Sequence, residues 1–345
     1  MKMDEVEFLK GAVSIYSTSG NERNVSEYLV SSMNELGFKA YVDDAGNAIG
    51  EIGEGKKTVL MVGHIDTVSG NIPVKIEEEK LYGRGSVDAK GPFCTFVIAA
   101  ALAKLNCRVI VVGAVEEECP TSKGARFILD KYNPDYIIIG EPSGHDAITL
   151  GYKGRLLIDY EINVKNTHTA HGSESAIDDA ITFYNNIKSY LVVYNTEKLR
   201  VFDQVQMTAQ DIKYVSDGFV NTVKLNLGFR LPVDFDSSRL IKYAESIKKE
   251  GNINSYGHED AIKADKNNNL VKAFLKSIRN NELIPKFKVK TGTSDMNILG
   301  KHFPGVPILA YGPGDSSLDH TPEEHIKINE YKSAIEILKG VLELL

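Results

Sequence analysis

Two uninterrupted apolar runs, RVIVVGAV at 108–115 and DYIIIG at 135–140, constrain this chain more than any other feature. Neither alternates with polar residues and each has strand length, so both predict strands covered on both faces. TVLMVG at 58–63 has the same buried character. A helix near 122–132 separates the first two runs, which predicts a βαβ unit. FCTFVIAAALAKL at 93–105 is apolar almost all round, as expected of a helix packed against a sheet. Helical spacing at 4–16 and 24–36, with Ser19 or Asn21 as the cap between them, and β-rich runs at 38–43, 47–52 and around 74–82 complete an α/β first half.

After GYKGR (151–155) the texture changes. LLIDYEINV alternates apolar and polar residues, as a strand with one wet face does. A helix at about 175–191, strands near 204–214 and 222–230, and a helix at about 236–250 follow. That order predicts an inserted α+β domain, a four-stranded sheet with two helices on one face. From about 262 the first texture returns, with a helix at 267–280, a strand at 307–311 and a helix at 328–344. The expected architecture is an α/β catalytic domain with a mixed, mostly parallel sheet between helices. It would comprise residues 1–152 and 261–345, interrupted by the inserted domain at 153–260. A length of 345 residues suits two lobes rather than one core.

Composition removes several classes. A net charge of -7 argues against a nucleic-acid binder, which would carry a basic face. No apolar run approaches the roughly 20 residues of a membrane span, and MKMDEVEFLKG lacks the apolar segment of a secretory signal. Cys94, Cys107 and Cys119 are odd in number and show no Cys-x-x-Cys spacing, so a reducing cytoplasm is the expected compartment. GRGSVDAKG satisfies no phosphate-loop pattern. GTSDM lacks the final glycine of a nucleophile elbow, which argues against a serine hydrolase.

The chemistry-bearing residues cluster where the first domain's strands end, the place where open α/β sheets build their sites. His64 and Asp66 follow the strand at 58–63, Glu116, Glu117 and Glu118 follow the strand at 108–115, and Glu141 closes the strand at 135–140. Asp88 lies in a glycine-dense loop before the apolar helix, and His320 lies downstream in SSLDHTPEEH. Each has an ordinary structural explanation: a core histidine, a turn aspartate, a charged helix start or a strand terminus. Their joint placement after apolar strands is what those explanations miss. So many acids in one pocket would repel one another unless cations were present.

Five segments, GHIDTV, GRGSVDAKG, EEECPTSKGA, IIGEPS and DHTPEE, resemble in order and spacing the acetylornithine deacetylase/succinyl-diaminopimelate desuccinylase family of co-catalytic zinc amidohydrolases. The resemblance covers nearly the whole chain and is greatest to the short enzymes that release lysine or ornithine from an amino-group carrier protein. It implies two divalent ions, zinc first with cobalt or manganese as alternatives. His64, Asp88 and Glu141 would hold one, and Asp88, Glu118 and His320 the other, with Asp88 bridging a pair about 3.5–4 Å apart. Glu117 would be the general base, and Asp66 would bond the free ring nitrogen of His64. Glu116/Glu117 remains an alternative pairing for base and ligand, and Cys119 a conceivable soft ligand. Because successive strand residues point to opposite sides, Glu117 and Glu118 can share a site only where the strand has begun to turn. The peptide after Asp88 would be cis.

The same resemblance implies that His171, with His168 as its neighbouring competitor, donates to the oxyanion, commonly across a homodimer interface. Arg230 would pair with a substrate carboxylate through its fork. Thr293, Ser294 and Asp295 would line the pocket, Asp295 opposite the cationic end of lysine or ornithine, and GPGDSS at 312–317 would shape another wall. Lys123, Arg126, Lys153 and Arg155 could form a docking rim for the carrier. The implied function is release of lysine and/or ornithine from a γ-glutamyl conjugate on the carrier, within lysine/arginine biosynthesis. An acetylornithine deacetylase, a succinyl-diaminopimelate desuccinylase, a dipeptidase and a non-catalytic binder of acylated amino acids are the alternatives.

Overall fold

A computed structural model describes residues 4–166 and 174–345. In chain order the first elements are α1 (Glu5–Ser14), α2 (Arg23–Glu35), β1 (Lys39–Val42), β2 (Ala48–Ile52), β3 (Thr58–His64), β4 (Lys75–Glu77), β5 (Lys80–Tyr82) and α3 (Lys90–Leu102). Then come β6 (Arg108–Ala114), α4 (Lys123–Phe127), β7 (Tyr136–Gly140), β8 (Ala147–Tyr152), β9 (Gly154–Lys165), α5 (Ala176–Asn195), β10 (Gln206–Ser216) and β11 (Val220–Leu231). The chain continues with α6 (Ser237–Ile247), β12 (Asn252–Glu259), β13 (Ile262–Lys263), α7 (Asn269–Asn280), β14 (Lys286–Lys290), α8 (Asp295–His302), β15 (Ile308–Tyr311), β16 (His325–Lys327) and α9 (Ile328–Leu342).

These elements form two compact units. One comprises the chain up to Gly151 with Lys263–Val289 and Ser294–Leu345; the other comprises Tyr152–Ile262 and Lys290–Thr293. In the first, the sheet order is β1-β2-β6-β3-β7-β15-β8-β13, with β14 paired to β8. Its centre is parallel: β3 lies between β6 and β7, His64 opposite Ala114 and Gly63 opposite Gly140. That register brings the ends of three strands to one level, which is what gathers their loops.

Close packing sets that level. A Cβ on Gly140 would lie 3.0 Å from Gly63 Cα and 3.0 Å from Phe96 Cε2, so only glycine lets α3 lie this close to the strands. Residues Lys90 to Ala100 of α3 are all buried, as the all-round apolar pattern predicted. On the same core, α7 presents Leu270, Val271, Phe274 and Ile278 along one face.

In the second unit, β9 pairs antiparallel with β11 and β12, and the sheet order is β10-β11-β9-β12. Alternate residues of β9, Leu156, Ile158, Tyr160 and Ile162, pack with Ala180, Phe183 and Ile187 of α5 and Leu240 and Ala244 of α6. Tyr160 stacks on Phe183 with ring centroids 4.1 Å apart.

Several expectations need correction. The run at 74–82 is a hairpin, not one strand: Glu78 and Glu79 both have positive φ, 49° and 58°, and so turn the chain back. The helix near 122–132 is regular only over Lys123–Phe127 and continues as tight turns, Ile128 N–H to Ala125 and Leu129 N–H to Arg126. Neither Ser19 nor Asn21 caps α2; Glu22 stands at its N-cap and makes no side-chain cap bond. A cap must bond amides within the first turn, and Ser19 sits too far ahead.

Candidate metal centre

β3 delivers His64, which is 2% exposed. Its Nδ1 lies 3.0 Å from the main-chain carbonyl of Asp66. A carbonyl can only accept, so Nδ1 carries the proton and Nε2 is left to face Asp88 Oδ1 at 3.1 Å. Asp88 stands just before α3, and the Asp88–Ala89 peptide is cis, as the resemblance implied. Its other oxygen, Oδ2, faces His320 Nε2 at 3.1 Å. His320 Nε2 is also 3.0 Å from Glu118 Oε1. One carboxylate therefore offers an oxygen to each imidazole.

The loop after β6 supplies the next residues. β6 ends at Ala114, and Glu116 adopts a left-handed conformation with φ 58°, so the chain has left the extended strand before Glu117 and Glu118. Asp66 captures the turn: its carboxylate accepts the Glu117 and Glu118 N–H groups at 3.1 and 3.0 Å, and the Ser19 hydroxyl at 2.7 Å. The expected bond from Asp66 to the His64 ring is thus altered. The carboxylate stands 3.5 Å from Nδ1, while the residue's carbonyl is the nearer partner. Asp66 orients the ring through its backbone and the Glu117–Glu118 turn through its side chain. Glu22, 5% exposed, backs the turn by accepting the Gly20 and Glu116 N–H groups on Oε1 at 2.9 and 3.1 Å. The sequence showed no sign of that role, since Glu22 lies in the short link between two helical runs.

Electrostatics test whether cations fit. Burial and the neighbouring charges of Asp295, Glu141 and Glu118 push the Glu117 carboxyl well up, against His64, which lowers it. Asp295, 2% exposed, is pushed up to about 7, chiefly by burial, and its Oδ1 is buried without a hydrogen-bond partner. Burial alone would lower the His64 pKa, yet Asp66 and Asp88 raise it well above the ordinary value. Asp88 and Glu118 raise His320 to about 10. Both shifts have the same cause, a concentration of negative charge that favours any positive group at the site. His64, Asp88 and Glu118 place ligand atoms within 4.8 Å of one another. Nitrogen and carboxylate donors at this spacing, beside an orphaned carboxylate oxygen, fit divalent ions.

Glu141 follows β7 and is 7% exposed among the same acids. Cys119 points elsewhere: its thiol lies 3.4 Å from the Glu116 carbonyl and 2.9 Å from the Thr121 hydroxyl. Glu116 accepts the Thr121 hydroxyl at 2.8 Å and pairs with Lys123 at 3.5 Å.

The remaining expected site residues belong to one unit or the other. In the second, Arg230 donates to the Thr293 hydroxyl at 2.7 Å, and that hydroxyl donates to the Lys153 carbonyl at 3.2 Å. In the first, Ser294 caps α8 with its side chain, and Asp295 sits among the acids of the centre. Lys153 is no rim residue, being fully buried with its ammonium on the Gln204 carbonyl and Gln206 Oε1 at 2.6 and 2.9 Å. Arg126 and Arg155 likewise donate to the carbonyls of Thr121 and Gly257. His168 and His171 lie outside the described residues.

Known proteins resemble this chain in sequence and in fold. A LysW-lysine hydrolase from Deinococcus radiodurans is 42% identical over 97% of this chain and 95% of its own length. A LysW-lysine/LysW-ornithine hydrolase from Saccharolobus islandicus is 31% identical over 96% and 92%. The fold matches an M20 family metallo-carboxypeptidase from Sulfolobus solfataricus with a TM-score of 0.82 at 21% identity, covering 99% of both chains. The profile of peptidase family M20/M25/M40 matches residues 60–344, and the chain belongs to that family.

Proposed function

We propose that the chain is a dinuclear metal-dependent amidohydrolase that releases lysine and/or ornithine from a γ-glutamyl conjugate on an amino-group carrier protein. The observation that carries the dinuclear part is Asp88, whose oxygens face His64 and His320 separately. The substrate part is supported by relatives named as LysW-lysine and LysW-ornithine hydrolases across nearly their full length.

His64, Asp88 and Glu141 would hold one ion and Asp88, Glu118 and His320 the other, with zinc the best match and cobalt or manganese the alternatives. When bound, such a pair supplies a water acidified to near neutrality and a polarised acyl carbonyl. The chain's own groups do the rest. Glu117 takes the water's proton and returns it to the leaving amine, a role worth about 10²–10⁴-fold. Asp66 keeps the Glu117–Glu118 turn and the His64 ring in place. Arg230, braced by Thr293, binds the carboxylate of the amino acid. His171 would donate to the oxyanion, across a homodimer. The free, buried thiols of Cys94 and Cys107 suit a reducing cytoplasm.

The test is a release assay on lysine and ornithine conjugates carrying acetyl, succinyl or γ-glutamyl groups, with the carrier-bound form included. The carrier-bound γ-glutamyl conjugate should have the highest kcat/KM. A higher value for acetyl or succinyl would assign the chain to a deacetylase or desuccinylase. No turnover of any conjugate would leave a binding protein.

A further inference from the structure

The loop that presents Asp88 is wrapped around one buried side chain, Glu324, which is 0% exposed. Its Oε1 accepts the N–H groups of Gly85, Val87 and Asp88 at 2.9, 3.0 and 3.1 Å. Its Oε2 accepts from Arg84 at 2.7 Å, and its carbonyl accepts the Gly83 N–H at 3.3 Å. Arg84 in turn donates to the Gly70 carbonyl at 3.0 Å. Glu324 also follows closely on His320 in the chain, just before β16, whose His325 pairs with Tyr82 of β5. A single carboxylate thus joins the segment carrying Asp88 to the segment carrying His320, far apart in sequence.

We infer that Glu324 is a positioning residue of the metal centre: it fixes the turn that aims Asp88 and locks that turn to the His320 segment. The inference rests on the dinuclear reading. The physical reason is directional. A carboxylate taking several N–H donors from one turn leaves that turn a single conformation, and the bidentate-capable Arg84 prevents the carboxylate from rotating away. A buried carboxylate costs solvation, which these charge-assisted bonds offset only while all are made. Asp88 serves both ions, whereas His320 serves one, so loosening Glu324 falls hardest on the ion shared by Asp88, Glu118 and His320.

The experiment titrates metal-free protein with zinc against a chromophoric chelator. It compares wild type, Glu324→Gln, and Ser277→Ala as a control that removes a buried hydroxyl bond to the Ile337 carbonyl in the α7–α9 packing. Glu324→Gln should weaken the second zinc by about 10–100-fold, the range for groups that orient metal ligands, and should retain about one zinc after desalting. Ser277→Ala should lower thermal stability and leave zinc affinity alone. If Glu324→Gln does not fold, Arg84→Lys, which frees Oε2 while sparing the three amide bonds, should still weaken the second zinc several-fold. Wild-type zinc affinity in the folded variant, whatever its thermal stability, overturns the inference. A wild type that bound fewer than two ions would overturn the dinuclear reading as well, so the two failures are told apart.

Discussion

At the scale of single residues, the centre depends on which atom of each side chain meets which. Glu117 is placed by backbone rather than by its own carboxylate, since its N–H is held by Asp66 at 3.1 Å. Glu117→Gln should therefore keep the turn and both ions while lowering kcat by about 10²–10⁴-fold. Unchanged turnover in a protein of normal metal content would remove the base assignment. Lys153 allows a test that is independent of the metal. Burial, with help from Arg230, lowers its pKa to about 8, against the opposing effect of Asp203. Between about 8 and the ordinary lysine value of about 10.4, the unfolded chain holds a proton on Lys153 that the folded chain has lost, so stability from this group rises with pH. The thermal midpoint of wild type relative to Lys153→Met should climb between pH 8 and 10. A flat difference would mean that Lys153 titrates normally.

At the scale of elements, the approach of α3 to β3 and β7 sets the level of the strand ends. Gly140→Ala would place a methyl against Gly63 Cα and the Phe96 ring. The expected cost is about 1–3 kcal/mol, as for other overpacked cores, read as a lower denaturant midpoint. Because Glu141 follows directly, the same variant should also bind metal more weakly. An unchanged midpoint would show that the sheet and helix yield easily. The elements hardest to find in the sequence were edge strands. β12, NINSYGHE, is mostly exposed and polar and shows no apolar face, while β14, KFKVK, alternates but is very short and leaves Phe287 and Val289 exposed. β8, AITLGY, is no edge strand and is buried throughout, but its run ends where the sequence texture changes.

At the scale of the whole molecule, the long edge strand β10 presents Ile212, Tyr214 and Val215 at 58%, 53% and 61% exposure. Unpaired strand edges with apolar side chains invite pairing with another chain, and that edge supports the proposed homodimer. Light scattering should report a dimer for the wild type and a monomer for Ile212→Glu. If His171 acts from the partner, the monomer should also lose activity in the release assay. A monomeric wild type with full activity would remove both claims. No helix among the described residues is long and apolar enough to cross a membrane.

The amino-acid sequence by itself determined the parallel core and the residues at its strand ends, because runs such as RVIVVGAV and DYIIIG can be satisfied only by burial on both faces. Polar residues straight after them must then emerge together. Only the tertiary structure decided the contacts: that Asp66 holds His64 by a carbonyl and the Glu117–Glu118 turn by a carboxylate, that Ser19 serves Asp66 and not α2, and that Lys153 is buried. Those outcomes depend on distances between segments far apart in the chain, and periodicity carries information only about neighbours.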